Sequence, residues 1–190
     1  MGELMFSSLS RSFRLLLLMT FILGGLYPGF VWIFGKIFFA EKSEGSLIIV
    51  NDQVVGSLLL GQEFTSSNYF WGRPLPVSLA SPTSIKLKER IEMRAHEFRK
   101  THQLSDSVPI PPDLLLASGS GLDPHISPAA AIIQLDRVAQ ARKLSRKQIY
   151  DLRTSIDELT REKVFGLFGE VRLNVLLLNM RLDEISAANY

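Results

Sequence analysis

The sequence has no cysteine and only three histidines among its 190 residues. Without cysteine the chain forms no disulfide and offers no thiolate nucleophile or thiolate metal ligand. His96 and His102 are six residues apart on a predicted helix, whereas a helical metal site needs histidines at i and i+4. We therefore expect no metal centre, and we expect both of these histidines to be solvated.

A surplus of basic charge is missing from most of the chain. The formal net charge of +2 arises within the first forty residues, because the segment from Glu41 to Tyr190 holds eighteen basic and eighteen acidic side chains. Domains that bind nucleic acid normally carry a pronounced basic surplus. We therefore exclude nucleic acid as a partner of the soluble part.

Motifs of nucleotide-binding and hydrolytic enzymes are missing as well. No stretch of the soluble part matches a P-loop, and Gly119-x-Gly121 is followed by Pro124 where a dinucleotide fingerprint needs its third glycine. Ser120 lacks the flanking glycines of a nucleophile elbow. We predict that the chain has no catalytic residue. A membrane-tethered hydrolase remains as an alternative, with Ser120, Asp123 and His125 as its side chains.

A long apolar run is present near the start of the chain. Twenty residues from Leu15 to Phe34 carry no charge, and at about 1.5 Å of rise per residue they span a hydrocarbon core of roughly 30 Å. A cleaved signal peptide has a shorter apolar core that ends in small residues, whereas this run ends in bulky aromatics. We predict an uncleaved transmembrane helix over residues 15–39, a short N-terminal tail over 1–14 and a soluble domain over 40–190.

The apolar run contains its own irregularity. Tyr27-Pro28-Gly29 predicts a kink or a local break in the helix. Gly24, Gly25 and Gly29 form a stripe of small residues against which a partner helix can pack. Two basic residues flank the run on each side, so the positive-inside rule leaves the orientation open.

The soluble part predicts an α+β fold, so the chain as a whole combines one N-terminal transmembrane helix with a small mixed α/β domain. Periodicity and start signals decide the elements. We predict a β-hairpin of residues 46–50 and 54–61 with a three-residue turn, a long ordered loop over 64–83 and an amphipathic helix over 84–103. A short buried strand follows over 114–118, and then two helices within 128–160, which begin at Ser127-Pro128 and at a Ser145–Gln148 capping box. An apolar loop around Gly166 and Gly169 leads to a terminal helix from Asn174.

Two segments are candidate contact surfaces for another protein. The first places three consecutive aromatics beside an arginine, a composition typical of interface anchors, although a loop that covers the core is an equal alternative. The second is a turn rich in glycine and serine, in which Gly119 and Gly121 are expected to adopt backbone geometries closed to other residues. The partner-interface candidates are Tyr69, Phe70, Trp71, Gly72, Arg73, Pro74, Gly119, Gly121, Leu122 and Asp123.

A basic cluster between two predicted helices and the start of one helix are weaker candidates for binding a nucleotide or another anion. Backbone amides at a helix start and basic side chains both attract anions. A solvated turn is the simpler interpretation of the cluster. The candidates are Ser127, Arg142, Lys143, Arg146 and Lys147.

Several ordered motifs resemble a known family. The chain contains GSLLLGQEF, NYFWGRP, LLLASGSGLDPHISPAAA, RVAQARKLS and LNVLLLNMRLDE behind a single span with GGLYP. Together they resemble the C subunit of the bacterial Kdp potassium-transporting P-type ATPase. Two departures lie in the shortened stretch from Leu75 to Thr83 and at Leu177, where the family usually has glutamate.

This resemblance implies a non-catalytic accessory subunit of a high-affinity, ATP-driven potassium uptake pump. It implies three protein partners: a potassium-selecting channel-like subunit, the ATP-hydrolysing P-type subunit and a small accessory membrane subunit. It implies a single-pass protein of the cytoplasmic membrane, with residues 1–14 inside and 40–190 outside the cytoplasm. It further implies a catalytic chaperone that raises the ATP affinity of the hydrolysing subunit, with ATP acting in the complex and no cofactor of its own. An extracytoplasmic sensor or solute-binding domain remains a second alternative.

Overall fold

The computed structural model describes residues 2–75 and 80–188. It divides into two compact units, Met1–Leu47 and Ile48–Tyr190. The first unit is helical, and the second combines helices with two small two-stranded sheets. The predicted class is confirmed: a long N-terminal apolar helix is followed by a small mixed domain.

The first unit is built around one long helix. It comprises α1 (Gly2–Phe21), a π-helical turn (Ile22–Leu26) and α2 (Tyr27–Phe38), followed by the short α3 (Ala40–Ser43). The segment Phe6–Phe38 is long and apolar enough to cross a membrane, and its apolar window is not buried against other parts of the chain. An apolar helix left uncovered in this way is consistent with single-pass anchoring in a bilayer.

The irregularity predicted near Pro28 takes the form of the π-helical turn. The N–H of Tyr27 donates to the carbonyl of Ile22, five residues earlier. In a regular α-helix the ring of Pro28 would clash with the carbonyl four residues before it, and no proline N–H exists to bond that carbonyl. The wider turn relieves this conflict. The helix therefore continues through Pro28 without a break.

A β-hairpin opens the second unit, as predicted. Strands β1 (Leu47–Val50) and β2 (Gln53–Ser57) pair in one sheet. The turn between them has two residues and not the expected three: Asn51 and Asp52 both have positive φ, 51° and 60°, as a type I′ turn requires. The second strand is also shorter than predicted, since Gly61 has left it and donates its N–H to the carbonyl of Leu122 at 2.6 Å.

Helices make up most of the remainder of the second unit. They are α4 (Ile85–His102), α5 (Pro128–Ile132), α6 (Leu135–Arg142), α7 (Arg146–Leu159) and α8 (Val175–Ala187). Two short antiparallel strands, β3 (His125–Ile126) and β4 (Leu173–Asn174), pair with Ile126 opposite Leu173. The core lies between these elements and includes Phe70, Phe98, Leu114, Ile126, Val138, Leu152, Ile156, Leu173, Leu178 and Leu182.

The helix starts follow the signals in the sequence. The Ser127 hydroxyl accepts the N–H of Ala130, and Ser145 forms the predicted capping box with Gln148. The terminal helix begins where expected, because the Asn174 side chain accepts the N–H groups of the first turn of α8. Each cap bonds donors that the helix itself leaves unpaired.

The predicted strand over residues 114–118 is wrong. A 3₁₀ turn spans Pro112–Leu114, and the N–H groups of Leu115 and Leu116 both donate to the carbonyl of Pro112, at 3.0 and 2.8 Å. Apolar composition predicted burial correctly for Leu114. The extended backbone predicted from the same composition does not form, because local turn bonds take the N–H donors that a strand would offer to a neighbour.

Three helices, α5, α6 and α7, occupy the range from Pro128 to Thr160, where two were predicted. A break separates α5 from α6 at Gln134, whose backbone N–H donates to Ala131 at 3.1 Å. The carbonyl of Ala130, the regular i−4 acceptor of that N–H, accepts the side-chain Nε2 of Gln134 at 3.0 Å instead. The side chain thus competes with the backbone ladder and ends the first helix early.

Candidate functional site

Two buried side-chain amides hold the backbone of the aromatic segment, residues 69–74. Asn179 accepts the N–H of Phe70 at 2.8 Å and donates to its carbonyl at 3.0 Å. Gln134 does the same for Trp71, at 2.8 and 3.1 Å. Both amides are buried, and they bond backbone groups of a segment that belongs to neither sheet. The segment is therefore fixed by α6, α8 and the turn before α6.

Arg137 completes this support from α6. Its Nη2 donates to the carbonyl of Tyr69 at 2.9 Å and to Oε1 of Gln134 at 3.0 Å, and its Nη1 donates to the carbonyl of Ser67. The guanidinium lies over the Trp71 ring, 4.4 Å from its centroid. Burial lowers the pKa of Arg137 to about 10. The group remains charged at neutral pH, and the carbonyl oxygens and the ring face stabilise that charge.

His102, at the end of α4, is held in one neutral form. Its Nε2 lies 2.9 Å from Nε of Arg137, which can only donate, so Nε2 accepts and the proton sits on Nδ1 facing the carbonyl of Phe98 at 2.9 Å. The ring stacks on Phe98 at 3.7 Å between centroids. Burial is the main cause that lowers the pKa of His102 to about 4, with a further contribution from Arg137. The expectation of a solvated His102 is wrong, whereas His96 is exposed as expected.

Arg142, a candidate for binding anions, contacts the same segment from its other end. Its Nη2 pairs with Asp183 at 2.6 Å, its Nε donates to the carbonyl of Asn68 at 2.7 Å, and the group lies 4.6 Å from the centroid of the Tyr69 ring. The Tyr69 hydroxyl donates to the other oxygen of Asp183 at 3.3 Å. Arg142 therefore already has an anionic partner within the chain.

Arg73 links the aromatic segment to the glycine-rich turn. It donates to the carbonyls of Leu116 and Ala117 at 3.4 and 3.3 Å and pairs with Asp123 at 3.4 Å. Asp123 also accepts the N–H of His125 at 3.1 Å, which closes the predicted turn at Asp123-Pro124. The two candidate surfaces are thus one connected structure, although they are separated by more than forty residues of sequence.

The backbone conformation or the close packing requires glycine at two positions of this region. At a third position, where glycine was predicted to be required, it is not. Gly121 has φ of 69°, a conformation that favours glycine, as expected. A Cβ at Gly61 would lie 2.9 Å from the carbonyl oxygen of Asp123. Gly119 has an ordinary φ, and a Cβ added there would meet no atom within 4 Å, so its expected special geometry is wrong.

The arrangement does not favour the hydrolase alternative. His125 Nδ1 lies 3.0 Å from Asp123, as a general base and its orienting carboxylate would. The Ser120 hydroxyl, however, accepts the N–H of Leu122 at 3.2 Å, a bond local to the turn that does not involve His125. Within the described residues, no cluster of three potential metal ligands occurs either.

The other anion candidates differ in their surroundings. Ser127 uses its hydroxyl to cap α5 and to contact Asp113 at 3.4 Å, and its N–H donates to the same carboxylate at 2.6 Å. Lys143 ends α6 with φ of 55°, while Arg146 and Lys147 begin α7, and all three are exposed. Ser127 therefore contacts a carboxylate, whereas the three basic side chains are open to solvent.

The remaining partner-interface candidates differ in exposure. Phe70 is fully buried in the core, whereas Tyr69, Trp71, Gly72, Arg73 and Pro74 are partly buried. Leu122 is 51% exposed, and Gly119 beside it is exposed as well. Among these candidates, Leu122 is therefore the large apolar side chain that is most exposed.

Sequence reasoning missed the polar side chains that organise this region, namely Gln134, Arg137, Asn179 and Asp183. One signal was present for the two amides. Gln134 lies four residues after Ala130 and four before Val138, and Asn179 lies three before Leu182, so both occupy core-facing helical spacing. A polar residue on an apolar stripe indicates a buried hydrogen-bonding role.

Comparison with known proteins gives consistent matches along the chain. The family model described as "KdpC: K+-transporting ATPase, c chain" matches residues 9–184. A potassium-transporting ATPase KdpC subunit of Leptospira interrogans is 44% identical over 182 residues, covering 93% of this chain and 93% of the relative. The subunits of the same name from Herminiimonas arsenicoxydans and Methylococcus capsulatus are 40% and 41% identical, covering 94% and 90% of this chain and 98% and 94% of the relatives.

Proposed function

Because the chain belongs to the KdpC family, the non-catalytic C subunit of the Kdp potassium-transporting ATPase, we propose that it stabilises the assembled pump and raises the ATP affinity of the hydrolysing subunit. The observation that carries the proposal is the family match over residues 9–184, which includes both the apolar helix and the soluble domain. ATP-driven potassium uptake is then a property of the complex, to which this chain contributes without a reaction of its own.

The proposed partners are the potassium-selecting channel-like subunit, the ATP-hydrolysing P-type subunit and a small accessory membrane subunit. In the membrane, Gly24 and Gly29 have no atom within 4 Å of an added Cβ. A partner helix can approach closely at such positions. This open stripe supports contact with another transmembrane helix of the pump.

The proposed orientation has residues 1–14 in the cytoplasm, the helix within the cytoplasmic membrane and residues 40–190 outside. On that side the soluble domain meets the extracytoplasmic faces of its partners. The glycine-rich turn supports such a contact, because Leu122 is 51% exposed while Arg73 and Asp123 hold the turn rigid. A rigid apolar contact loses little conformational entropy on binding.

The proposed effect on ATP affinity is indirect. Arg142 is paired with Asp183, and ATP is scarce outside the cytoplasm, so direct contact between these basic residues and ATP is not part of the proposal. Binding of the C subunit changes ATP affinity instead by stabilising one conformation of the hydrolysing subunit, as coupling between two sites requires. The anion candidates Ser127, Lys143, Arg146 and Lys147 stay predictions.

Deletion of the gene tests the accessory role. Cells without the chain are expected to lose growth at micromolar potassium, and the full-length chain supplied in trans is expected to restore it. Potassium uptake that continues unchanged through an otherwise intact complex would contradict the proposal.

A point variant tests the proposed contact at the glycine-rich turn. Leu122→Asp places a charge on the proposed contact without disturbing the core, and Met93→Asp makes the same change at an exposed methionine of α4. We expect Leu122→Asp to weaken co-purification of the chain with its partners and to raise the KM for ATP of the purified complex, while Met93→Asp leaves both unchanged. Equal behaviour of the two variants would remove the glycine-rich turn from the interface.

A further inference from the structure

A second apolar surface lies far along the sequence from the proposed partner contact. Residues 161–172, here called the tip hairpin, fold back on themselves between α7 and β4. Arg161 and Arg172 exchange two backbone hydrogen bonds, of 2.8 and 3.2 Å, and Val164 and Phe168 exchange two more, of 2.8 and 3.0 Å. The hairpin is therefore a defined structure although its side chains are exposed.

The end of the tip hairpin, residues 164–168, is apolar and exposed. The exposed fractions are 59% for Val164, 89% for Phe165, 78% for Leu167 and 67% for Phe168. Phe165 has φ of 54°, a conformation that is uncommon for an aromatic residue. Strain of this kind persists where surrounding structure or function requires it. Here it accompanies a phenylalanine that is nearly fully exposed to solvent.

Several polar groups of the tip backbone are bonded within the hairpin, including the N–H groups of Val164, Gly166, Leu167 and Phe168. Gly166 donates to Lys163 at 3.0 Å and Leu167 donates to Val164 at 3.2 Å, in addition to the Val164–Phe168 pair. Unpaired backbone groups are what makes entry into an apolar medium unfavourable. The tip therefore leaves water at a smaller cost than an open loop of the same composition.

Basic side chains surround the base of this apolar tip. Arg161 and Arg172 lie directly opposite each other, and neither forms an ion pair with a carboxylate in the described part of the chain. Like charges at opposed positions destabilise a strand pair in water. Lys163 adds a third positive charge against Glu162 and Glu170. An array of phosphates facing the hairpin would offset this repulsion.

We propose that residues 164–168 insert into the interfacial region of the bilayer that holds the chain's own anchor, with Arg161, Lys163 and Arg172 facing lipid phosphates. Aromatic and apolar side chains beside basic ones are the composition of interfacial membrane contacts. The bilayer lies close to the second unit, because only nine residues, four of them in α3, separate the end of α2 at Phe38 from Ile48, a reach of at most about 30 Å. The tether therefore gives the tip a high effective concentration of lipid.

The absence of native cysteine makes a direct test possible. Single-cysteine variants of the full chain carry an environment-sensitive fluorophore in vesicles of phosphatidylcholine and phosphatidylglycerol that contain spin-labelled lipid. Phe165→Cys reports the tip, Tyr150→Cys reports an exposed position of α7, and Leu18→Cys reports the apolar helix itself. The three positions are exposed within the chain, so labelling leaves the core intact.

The proposal predicts that spin-labelled lipid quenches the fluorescence of a label at position 165 severalfold more than that of a label at position 150. Adding Lys163→Glu is expected to reduce this difference in quenching. Quenching at position 18 without excess quenching at 165 would overturn the proposal and leave membrane anchoring intact. No quenching at position 18 would contradict anchoring and the proposal together. Repetition in the purified complex adds one outcome: shielding of position 165 from water without quenching by lipid would overturn the proposal in favour of a protein contact.

Discussion

The aromatic segment and the tip hairpin use phenylalanine in opposite ways. Phe70 is 0% exposed, and its backbone is bonded by Asn179 on both sides. Phe165 is 89% exposed at the end of a hairpin whose hydrogen bonds are internal. A cluster of aromatics in sequence is therefore no measure of an interface. The side chains that the fold leaves uncovered are the ones available to a membrane or a partner.

Alanine at these two positions gives the largest expected contrast. Phe70→Ala should lower the free energy of unfolding by about 3–5 kcal/mol, because it leaves a cavity in the core. Phe165→Ala should change it by less than about 0.5 kcal/mol, because no buried contact is lost. Chemical denaturation of the full chain in detergent measures both. Similar losses for the two variants would contradict the comparison.

The buried amide of Asn179 tests whether hydrogen bonds, in addition to packing, hold the aromatic segment. Asn179→Leu has nearly the same size but leaves the N–H and carbonyl of Phe70 without partners, at a cost of about 2–3 kcal/mol. Gln140→Leu is the matched change at an exposed position of α6 and should be nearly neutral. Thermal unfolding of both variants under one buffer condition is the measurement. A neutral Asn179→Leu would show that the aromatic segment is held by packing alone.

Substitutions at two glycines test the contact between the segment after β2, which contains Gly61, and the glycine-rich turn. Gly61→Ala places a Cβ 2.9 Å from the carbonyl oxygen of Asp123, and we expect a loss of about 1–3 kcal/mol of stability. Gly119→Ala meets no atom within 4 Å and is expected to be neutral or stabilising by up to about 1 kcal/mol. Chemical denaturation curves of the two variants measure these changes in stability. An unaffected Gly61→Ala would mean that the two segments are not in close contact.

The smallest expected effect is a pH dependence from His102, whose pKa is lowered from 6.5 to about 4. The unfolded chain takes up this proton below about pH 6.5 and the folded chain only near pH 4. The contribution of neutral His102 to the free energy of unfolding is therefore complete above pH 6.5 and is lost as the pH falls towards 4. Because the ring is partly exposed, we expect about 1 kcal/mol over this interval.

The control for that measurement is His102→Gln, in which the side-chain oxygen can still accept from Arg137 but does not titrate. Free energies of unfolding between pH 7 and 4 should fall more steeply for the native chain than for the variant. Parallel curves would show that the neutral form of His102 is not required by the fold.

Elements with a local cause were predictable from the sequence. The apolar run, the capping box at Ser145 and the start of the terminal helix at Asn174 depend on neighbours within a few residues, and each is found where expected. Two other features were not predicted. At the break, the Gln134 side chain bonds the backbone of Trp71, which is distant in the sequence and which no local pattern reports. The turn in place of a strand at 114–118 has local bonds, but apolar composition alone does not distinguish a buried turn from a buried strand.

The candidate site shows the same division. Proximity of Arg73 to Asp123 and of Arg142 to Asp183 joins residues separated by tens of positions, which no local pattern reports. The family resemblance did identify the motifs that meet in this region. It did not indicate that Phe70 belongs to the core or that Arg142 already has an acidic partner, because both are consequences of packing.

We propose that the soluble domain acts from outside the cytoplasm and that the proposed effect on ATP affinity passes through partner subunits and not through direct contact with ATP. The basic residues Lys143, Arg146 and Lys147 are exposed. On the cytoplasmic side they would face a high concentration of nucleotide phosphates, and outside they would not. The side of the membrane therefore decides between indirect coupling and direct binding.

Labelling of Tyr150→Cys with a membrane-impermeant maleimide tests this claim most directly, because Tyr150 is exposed and no native cysteine competes. The expected result is labelling in spheroplasts and protection in inverted membrane vesicles until detergent is added. Protection in spheroplasts with labelling in inverted vesicles would place the domain in the cytoplasm and contradict the account.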